Sequence, residues 1–205
     1  MKKIAVFASG SGSDFQSVID LNEKENFCEI ALLIASKPNI FAIERAKKHN
    51  IDFAVFEKKK FENTEIMFNS ISMLLKEKGI DYIVLAGYLT VIPQSFIGQY
   101  RNKIINIHPS LIPSFCGEGF YGLKVHKAAI DYGVKLSGCT VHFVDEQADT
   151  GAVIMQEAVE VADDDTAESL QKKVLEKEHS CLPKAVKLLT MGKIQIDGRK
   201  VIIKE

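Results

Sequence analysis

The sequence predicts an α/β fold, a mostly parallel Rossmann-like open sheet flanked by helices, with antiparallel strands in the C-terminal half. Three observations support this prediction. Residues 4–8 and 82–86 are continuous apolar runs, which are typical of strands buried on both faces. Segments with helical periodicity separate the runs of the first half, as in βαβ units. After residue 137 the pattern changes to two β-rich runs with a short connection, which favours antiparallel pairing.

The elements of the first half follow one another with short connections. Strands are predicted at residues 4–8, 30–34, 52–56, 82–86 and 103–107, and helices from about residue 13, at 40–49, at about 63–78 and near Pro93. Gly79 follows the third helix at the usual position of a C-terminal cap.

The second half contains two long β-rich runs, a long helix and a short hairpin. The runs cover residues 138–144 and 152–161, and the hairpin pairs 194–196 with 200–203 around a turn at 197–198. Asp165 and Glu168 form a capping-box pattern at the start of the helix, and Pro183 is expected to kink or split it. Neither a linker nor a repeat interrupts the pattern, so a single domain is predicted over residues 1–205.

Composition narrows the classes of function. A net charge of -1 argues against a nucleic-acid binder, which normally has a basic face. The apolar runs are too short for a membrane span or for a signal peptide. The four cysteines contain no C-x-x-C pair, so we expect free thiols and a cytoplasmic location. Cys139 and His142 would point to opposite faces of a strand, so no metal site is predicted.

A glycine-rich segment, residues 9–13, joins the first strand to the first helix. This is where α/β proteins bind phosphate on free amides and the positive end of the helix dipole. A dinucleotide fingerprint is disfavoured because Phe15 replaces its third glycine, and the Gly-Lys-Ser/Thr of a P-loop is absent. Two interpretations remain open, a small phosphate cradle and a plain turn with Ser13 as N-cap and Gln16 at N3.

Asn106 and His108 fall on the same face at the C-terminal end of an apolar strand, where open α/β sheets carry their ligand crevice. Pro109 ends the strand at once. An amide N–H beside a protonated imidazole can stabilise an oxyanion, each donor being worth about 10²–10³ in rate. The alternative is a structural His-Pro turn that Asn106 caps.

Acidic residues supply further candidates. A carboxylate against His108 would raise its pKa and keep it a donor, but spacing does not decide between Asp145, Glu146 and Asp149. Glu178 falls within the apolar stripe of the long helix, where an inward carboxylate needs a partner or a ligand. The alternative is a structural role for Glu178, which would pair with a lysine or a backbone amide. A kink at Pro183 could also turn Glu178 outward.

Together these residues resemble the glycinamide ribonucleotide formyltransferase family over essentially the whole chain. The matching segments are residues 8–13, 85–88, 106–113 and 142–151. The block Asn-Ile-His-Pro-Ser-Leu-Ile-Pro with the later Asp-x-Gly is specific to folate-dependent formyl transfer. Methionyl-tRNA formyltransferase and formyltetrahydrofolate deformylase share it, but they carry a second domain for which 205 residues leave no room. The Gly-Ser-Gly-Ser loop also belongs to the glycinamide ribonucleotide branch.

The resemblance implies a role for each matching position. Catalysis would fall to Asn106, His108 and Asp149. The substrate phosphate would lie on Gly12, Ser13 and Asp14, and the ribose or amine side would contact Leu175, Glu176, Lys177 and Glu178. The folate pocket would be lined by Tyr88, Leu89, Thr90, Val91, Ile92, Asn106, Asp145, Glu146, Gln147 and Ala148. The family usually has Asn where this chain has Asp14, and a carboxylate beside a phosphate is unfavourable.

The implied activity is transfer of the formyl group of 10-formyltetrahydrofolate to the amine of glycinamide ribonucleotide in de novo purine biosynthesis. The folate would be a co-substrate, with no tightly bound cofactor, no metal, and a monomeric or homodimeric enzyme. Direct amine attack would give a tetrahedral intermediate stabilised by Asn106 and by His108, which Asp149 keeps protonated. The alternatives are a formyltetrahydrofolate hydrolase with the same three residues and a non-catalytic phosphosugar-binding domain.

Overall fold

The computed structural model describes residues 1–204, which fall into two compact units that divide after Ile105. The first unit alternates strands and helices in this order: β1 (Lys3–Ala8), α1 (Ser13–Glu25), β2 (Glu29–Ala35), α2 (Phe41–Lys48), β3 (Asp52–Val55), a 3-10 turn (Lys58–Lys60), α3 (Thr64–Glu77), β4 (Tyr82–Leu85) and α4 (Gln94–Gln99). Each predicted strand and helix of this half is therefore present, with ends shifted by one or two residues.

The strands of the first unit are parallel and run in the order β3-β2-β1-β4. β1 is central, since Val6 pairs with Leu33 on one side and with Val84 on the other. Ile4 and Phe7 have no exposed surface. An uninterrupted apolar run is what a strand covered on both faces requires, and burying each such side chain contributes about 1.5–3 kcal/mol.

The second unit begins within β5 and contains these elements: β5 (Ile104–His108), α5 (Leu123–Tyr132), β6 (Leu136–Phe143), β7 (Val153–Glu160), α6 (Ala167–Thr190), β8 (Ile194–Asp197) and β9 (Lys200–Ile203). β6 and β7 are antiparallel, as predicted, and so are β8 and β9. Gly138 allows the β6–β7 approach, because a Cβ there would collide with the carbonyl oxygen of Glu157.

Helix α5 is the one long element that the sequence did not predict. It begins after Gly122 and ends at Gly133, and it buries Val125, His126 and Ala129 along one face. Five proline and glycine residues interrupt the preceding stretch, residues 109–122. The apolar spacing of the following ten residues, 3.6 in period, was the signal that could have identified the helix.

Helix α6 starts and continues differently from the prediction. Its N-cap is Thr166, which forms a reciprocal capping box with Ser169, so the predicted pair of Asp165 and Glu168 is wrong. The Asp165 carboxylate instead accepts hydrogen bonds from the Ser169 hydroxyl and the Lys173 ammonium group. Pro183 lies inside one continuous helix, so the predicted split does not occur.

The predicted fold class is confirmed: a mostly parallel sheet flanked by helices, with antiparallel strands in the C-terminal half. The single domain over 1–205 stays a prediction. Among residues 1–204, no helix is both long and apolar enough to cross a lipid bilayer.

Candidate active site

Asn106 and His108 lie at the C-terminal end of β5, at alternate positions and hence on one face of the strand. His108 is buried, with 4% of its surface exposed, whereas Asn106 is half-buried. The intervening Ile107 points to the other face and is buried in the apolar interior. The strand therefore holds an amide and an imidazole side by side, as the sequence predicted.

Asp149 is the acid that faces His108. Its Oδ2 atom lies 3.6 Å from Nδ1 of His108 and accepts a hydrogen bond from the Gly117 amide at 2.9 Å. The Asp145 carboxylate is occupied elsewhere, since it accepts from the Thr150 hydroxyl at 2.6 Å. Of the three acids that the sequence left open, the geometry thus selects Asp149.

The backbone around the two residues determines which imidazole nitrogen faces the carboxylate. Nε2 of His108 lies 3.0 Å from the carbonyl oxygen of Phe115, which can only accept, so Nε2 carries a proton. Nδ1 is then the atom that faces Asp149 and that can gain or lose a proton. Asp149 and Phe115 both have positive φ angles, 58° and 50°, a conformation that non-glycine residues adopt rarely and that often accompanies functional sites.

The pKa of His108 bears on the expectation that Asp149 keeps its ring protonated. Burial lowers the pKa of His108, and the opposing effects of the Asp149 charge and of the Phe115 carbonyl do not restore it. This direction favours a neutral ring, and the protonation of His108 by the effect of Asp149 stays a prediction. Burial raises the pKa of Asp149, but its interactions with His142, with His108 and with the Gly117 amide bring that pKa below its ordinary value, so Asp149 is ionised.

Two further histidines lie at this site and were missed. His142 on β6 has Nε2 at 3.2 Å from Nδ2 of Asn106 and at 3.5 Å from Oδ1 of Asp149. His126 on α5 is 1% exposed and interacts electrostatically with His108. A strand period tells which face a residue occupies but not its partner on another strand, so the family-matching segment 142–151 was the signal in the sequence that included His142. Within residues 1–204, no group of three or more potential ligands could hold a metal ion.

The glycine-rich segment in the first unit has a left-handed residue at its centre. Gly12 is the N-cap of α1, with φ 69° and no side-chain cap, so the alternative with Ser13 as N-cap is wrong. A Cβ at Gly12 would lie 2.7 Å from Cβ of Ala42, so the loop packs directly on α2. Arg45 of α2 donates from Nε to the Ser11 carbonyl at 3.0 Å, which fixes the loop and places a positive charge beside it.

Asp14 follows in the first turn of α1, and burial raises its pKa to about 6. The first-turn amides of a helix have no partner within the helix, so this end of α1 can accept an anion on Ser13 and its neighbours. A second negative charge at Asp14 would oppose that anion, and the raised pKa reduces this opposition near pH 6.

Both predicted folate segments contain exposed residues. Leu89 and Val91 have 63% and 84% of their surface exposed, which is unusual for apolar side chains so close together. The Ser9 hydroxyl accepts from the Leu89 amide at 3.0 Å and anchors this segment, whereas Tyr88 packs edge-on against Phe7. In the second unit, residues 145–148 are all exposed.

The predicted substrate segment of α6 has one inward residue. Glu178 is buried, with 8% exposed, as its place in the apolar stripe predicted. Leu175 and Lys177 are half-buried and Glu176 is exposed. The Lys177 ammonium group lies 4.0 Å from the Glu157 carboxylate.

Comparison with known proteins identifies the family. The formyl transferase profile matches residues 2–186. The chain belongs to the formyl transferase family. It is 40% identical over 190 residues to the phosphoribosylglycinamide formyltransferase of Bacillus subtilis, covering 92% of this chain and 95% of that protein. The resemblance drawn from the sequence is therefore confirmed at the level of the family.

A solved structure of the family has the same fold. The glycinamide ribonucleotide transformylase 1 of Symbiobacterium toebii superposes with a TM-score of 0.93 at 33% identity, over all of this chain and 95% of that one. Other relatives are longer: the chain spans 62% of the chloroplastic phosphoribosylglycinamide formyltransferase of Vigna unguiculata, at 39% identity over 94% of this chain.

Proposed function

We propose that the protein transfers the formyl group of 10-formyltetrahydrofolate to the amine of glycinamide ribonucleotide, a step of de novo purine biosynthesis. The observation that carries the proposal is the cluster of Asn106, His108 and Asp149 in a chain of this family, with Nδ1 of His108 facing an ionised carboxylate. The relatives from Bacillus subtilis and Symbiobacterium toebii are both named for this activity.

The protonation of the two His108 nitrogens indicates the order of the steps. The substrate amine attacks the formyl carbon, which forms a C–N bond and a tetrahedral oxyanion with a positively charged nitrogen. The neutral His108 ring takes the excess proton from that nitrogen on Nδ1, and Asp149 stabilises the resulting imidazolium. The bond to N10 of the folate then breaks, N10 receives the proton from Nδ1, and N-formylglycinamide ribonucleotide and tetrahydrofolate leave.

Asn106 stabilises the oxyanion by donating from its amide, and the His108 imidazolium stabilises it by its positive charge. A hydrogen-bond donor at the oxyanion is worth about 10²–10³ in rate. No step needs a metal or a tightly bound cofactor, and the folate is the formyl donor.

Substrate binding is assigned to the remaining predicted residues. Backbone amides at Gly12, Ser13 and Asp14 bind the phosphate, because the first-turn amides of a helix point away from its carbonyls and lie at the positive end of its dipole. Residues 175–178 contact the ribose or amine side. Tyr88 to Ile92, Asn106 and residues 145–148 bind the folate, for which exposed Leu89 and Val91 offer apolar surface. A monomeric or homodimeric state and a cytoplasmic location stay predictions.

The test is an assay of purified protein with 10-formyltetrahydrofolate, with and without glycinamide ribonucleotide, that follows tetrahydrofolate. We expect turnover only with the amine acceptor. An equal rate without it would instead identify a formyltetrahydrofolate hydrolase. Binding of the ribonucleotide without any turnover would identify a phosphosugar-binding domain.

Two variants test the roles within the cluster. Asp149→Asn and His108→Asn should each lower kcat far more than they raise KM, because both residues act on the transition state. The double variant should cost little more than the worse single one, since Asp149 acts through His108. Losses that simply multiply would contradict the proposed coupling.

A further inference from the structure

We infer that His142 is a positioning residue, which fixes the amide of Asn106 in the orientation that the proposed formyl transfer needs. This inference rests on the proposed function for its kinetic part. The geometry that carries it is independent of that function and comes from the strand, the ring and the neighbouring loop.

The backbone of β6 orients the His142 side chain. A register shift in the β6–β7 pairing lies between Val141 and His142, and such bulges commonly re-aim a side chain near a site. The ring is 1% exposed, so its polar atoms need partners within the protein.

The tautomer of the ring follows from its first partner. Nδ1 of His142 lies 2.8 Å from the carbonyl oxygen of Phe143, which can only accept. The proton is therefore on Nδ1, and Nε2 presents a lone pair. Nδ2 of Asn106 lies 3.2 Å from Nε2 and donates to it.

This bond decides how Asn106 presents its amide. With one N–H held by His142, the nitrogen of the amide stays on the side of β6 and its second N–H has a defined direction. Without it, the amide could rotate by 180° and present an oxygen to the oxyanion, which would repel it. Oδ1 of Asp149 lies farther from Nε2, at 3.5 Å, than Nδ2 of Asn106 does, at 3.2 Å, so the amide is the closer partner.

Gly151 protects this arrangement. A Cβ at Gly151 would lie 1.8 Å from the Phe143 carbonyl oxygen, the same atom that fixes the His142 tautomer. The glycine two residues after Asp149 thus has a physical reason: any side chain there would displace the carbonyl that orients the ring.

A matched pair of variants tests the inference kinetically. The amide of His142→Asn can replace Nδ1 and keep the bond to Phe143, but it cannot reach Asn106. The longer His142→Gln can place an amide oxygen near the position of Nε2. We expect His142→Asn to lower kcat between about tenfold and about a hundredfold with KM nearly unchanged, the usual cost of a misplaced catalytic group, and His142→Gln to recover most of it.

Controls separate positioning from folding. Thr190→Val removes a buried hydroxyl that donates to the Val186 carbonyl within α6, and it should change thermal stability without changing kcat. His142→Asn should have no effect on kcat in an Asn106→Ala background. Equal kcat losses for His142→Asn and His142→Gln, or a full loss in that background, would overturn the inference.

A substrate-free measurement keeps the inference testable if the proposed activity fails. Long-range ¹H–¹⁵N NMR spectra of the histidine rings should show His142 protonated on Nδ1, with an Nε2 resonance that shifts in Asn106→Ala. A proton on Nε2, or an unchanged resonance, would overturn the inference. If the tautomer is as expected but no formyl transfer occurs in the unmodified protein, the proposed function alone is wrong.

Discussion

Nδ1 of His108 faces Oδ2 of Asp149 at 3.6 Å, and the Gly117 amide donates to that same oxygen at 2.9 Å. The amide orients the carboxylate, and the carboxylate opposes the effect of burial on the imidazole. The pKa of His108 is consequently set by burial, which lowers it, and by the Asp149 charge and the Phe115 carbonyl, which raise it.

The first prediction concerns that dependence. Burial lowers the pKa of His108 and the Asp149 charge raises it, so Asp149→Asn should lower this pKa further. An NMR titration of the His108 ring in both proteins measures the change. Asp145→Asn is the matched control, because the Asp145 carboxylate is bonded to Thr150, and it should leave the pKa of His108 in place. A shift with Asp145→Asn and none with Asp149→Asn would reverse the assignment.

The second prediction concerns Gly12. Gly12→Ala forces a side chain into a backbone with φ 69° and places its Cβ 2.7 Å from Cβ of Ala42. The strained backbone costs about 1–2 kcal/mol and the overpacking about 1–3 kcal/mol. Gly10→Ala is the control, because nothing lies within 4 Å of a Cβ there.

Chemical denaturation of the two variants measures the effect on stability. The KM for the ribonucleotide should also rise in Gly12→Ala, since the loop that presents the phosphate amides would shift. Equal stability of the two variants would mean that α2 moves away from the loop at little cost.

The third prediction concerns Asp14, whose pKa burial raises to about 6. A carboxyl with a raised folded pKa favours folding below its unfolded value of about 3.9, and this advantage is lost as pH rises through about 6. Asp14→Asn should therefore stabilise the protein above pH 6 by up to about 3 kcal/mol, and much less at pH 4.

Urea denaturation at pH 4.5 and pH 8 measures this difference. The same substitution at exposed Asp20 of α1 is the control and should stay within about 0.5 kcal/mol. The KM of Asp14→Asn for the ribonucleotide should be equal or lower, because a charge that opposes the phosphate is gone. A large rise in KM would show that the carboxylate has a favourable role.

The fourth prediction concerns Glu178. If its buried carboxylate binds the ribose or amine side, Glu178→Gln should lower kcat/KM between about tenfold and about a hundredfold, the worth of a hydrogen bond to a charged group. Thermal stability should change little. The control is Glu168→Gln, the same change at an exposed position in the first turn of α6. A large loss of stability with normal kinetics would indicate a structural pairing instead.

The fold could be predicted from the sequence because its strands are long apolar runs between helical segments. Residues 4–8 are an example, since a strand covered on both faces has to be apolar throughout. Helix α5 was missed because the irregular backbone before Gly122 obscured where the helical period begins. The N-cap of α6 was displaced by one residue because Asp165 and Thr166 are both good caps, and only the structure shows which hydroxyl or carboxylate meets the Ser169 amide.

From the residues themselves, the sequence predicted only the part of the site that lies on a single strand, β5. The pair of Asn106 and His108 followed from the period of β5, but the partner acid did not, since it comes from a loop with a left-handed residue. In the sequence, only the family resemblance selected Asp149 over Asp145 and Glu146, whereas the structure places Asp149 3.6 Å from His108. The lowered pKa of His108 also had no sequence signal, because burial depends on α5 and the loop around Phe115.

The last prediction concerns His126, which is 1% exposed and whose pKa burial lowers to about 4, with a smaller effect of His108. Its ring stays neutral in the folded protein while the unfolded chain gains a proton below pH 6.5. The stability that this neutral ring contributes is present above pH 6.5 and is lost as pH falls toward 4, by about 2 kcal/mol at pH 5 and about 3 kcal/mol at pH 4. His126→Phe removes the titrating group and should flatten this part of the profile. Urea denaturation of both proteins between pH 7.5 and pH 4 measures it, and a parallel loss in His126→Phe would assign the acid sensitivity to other groups, His108 first.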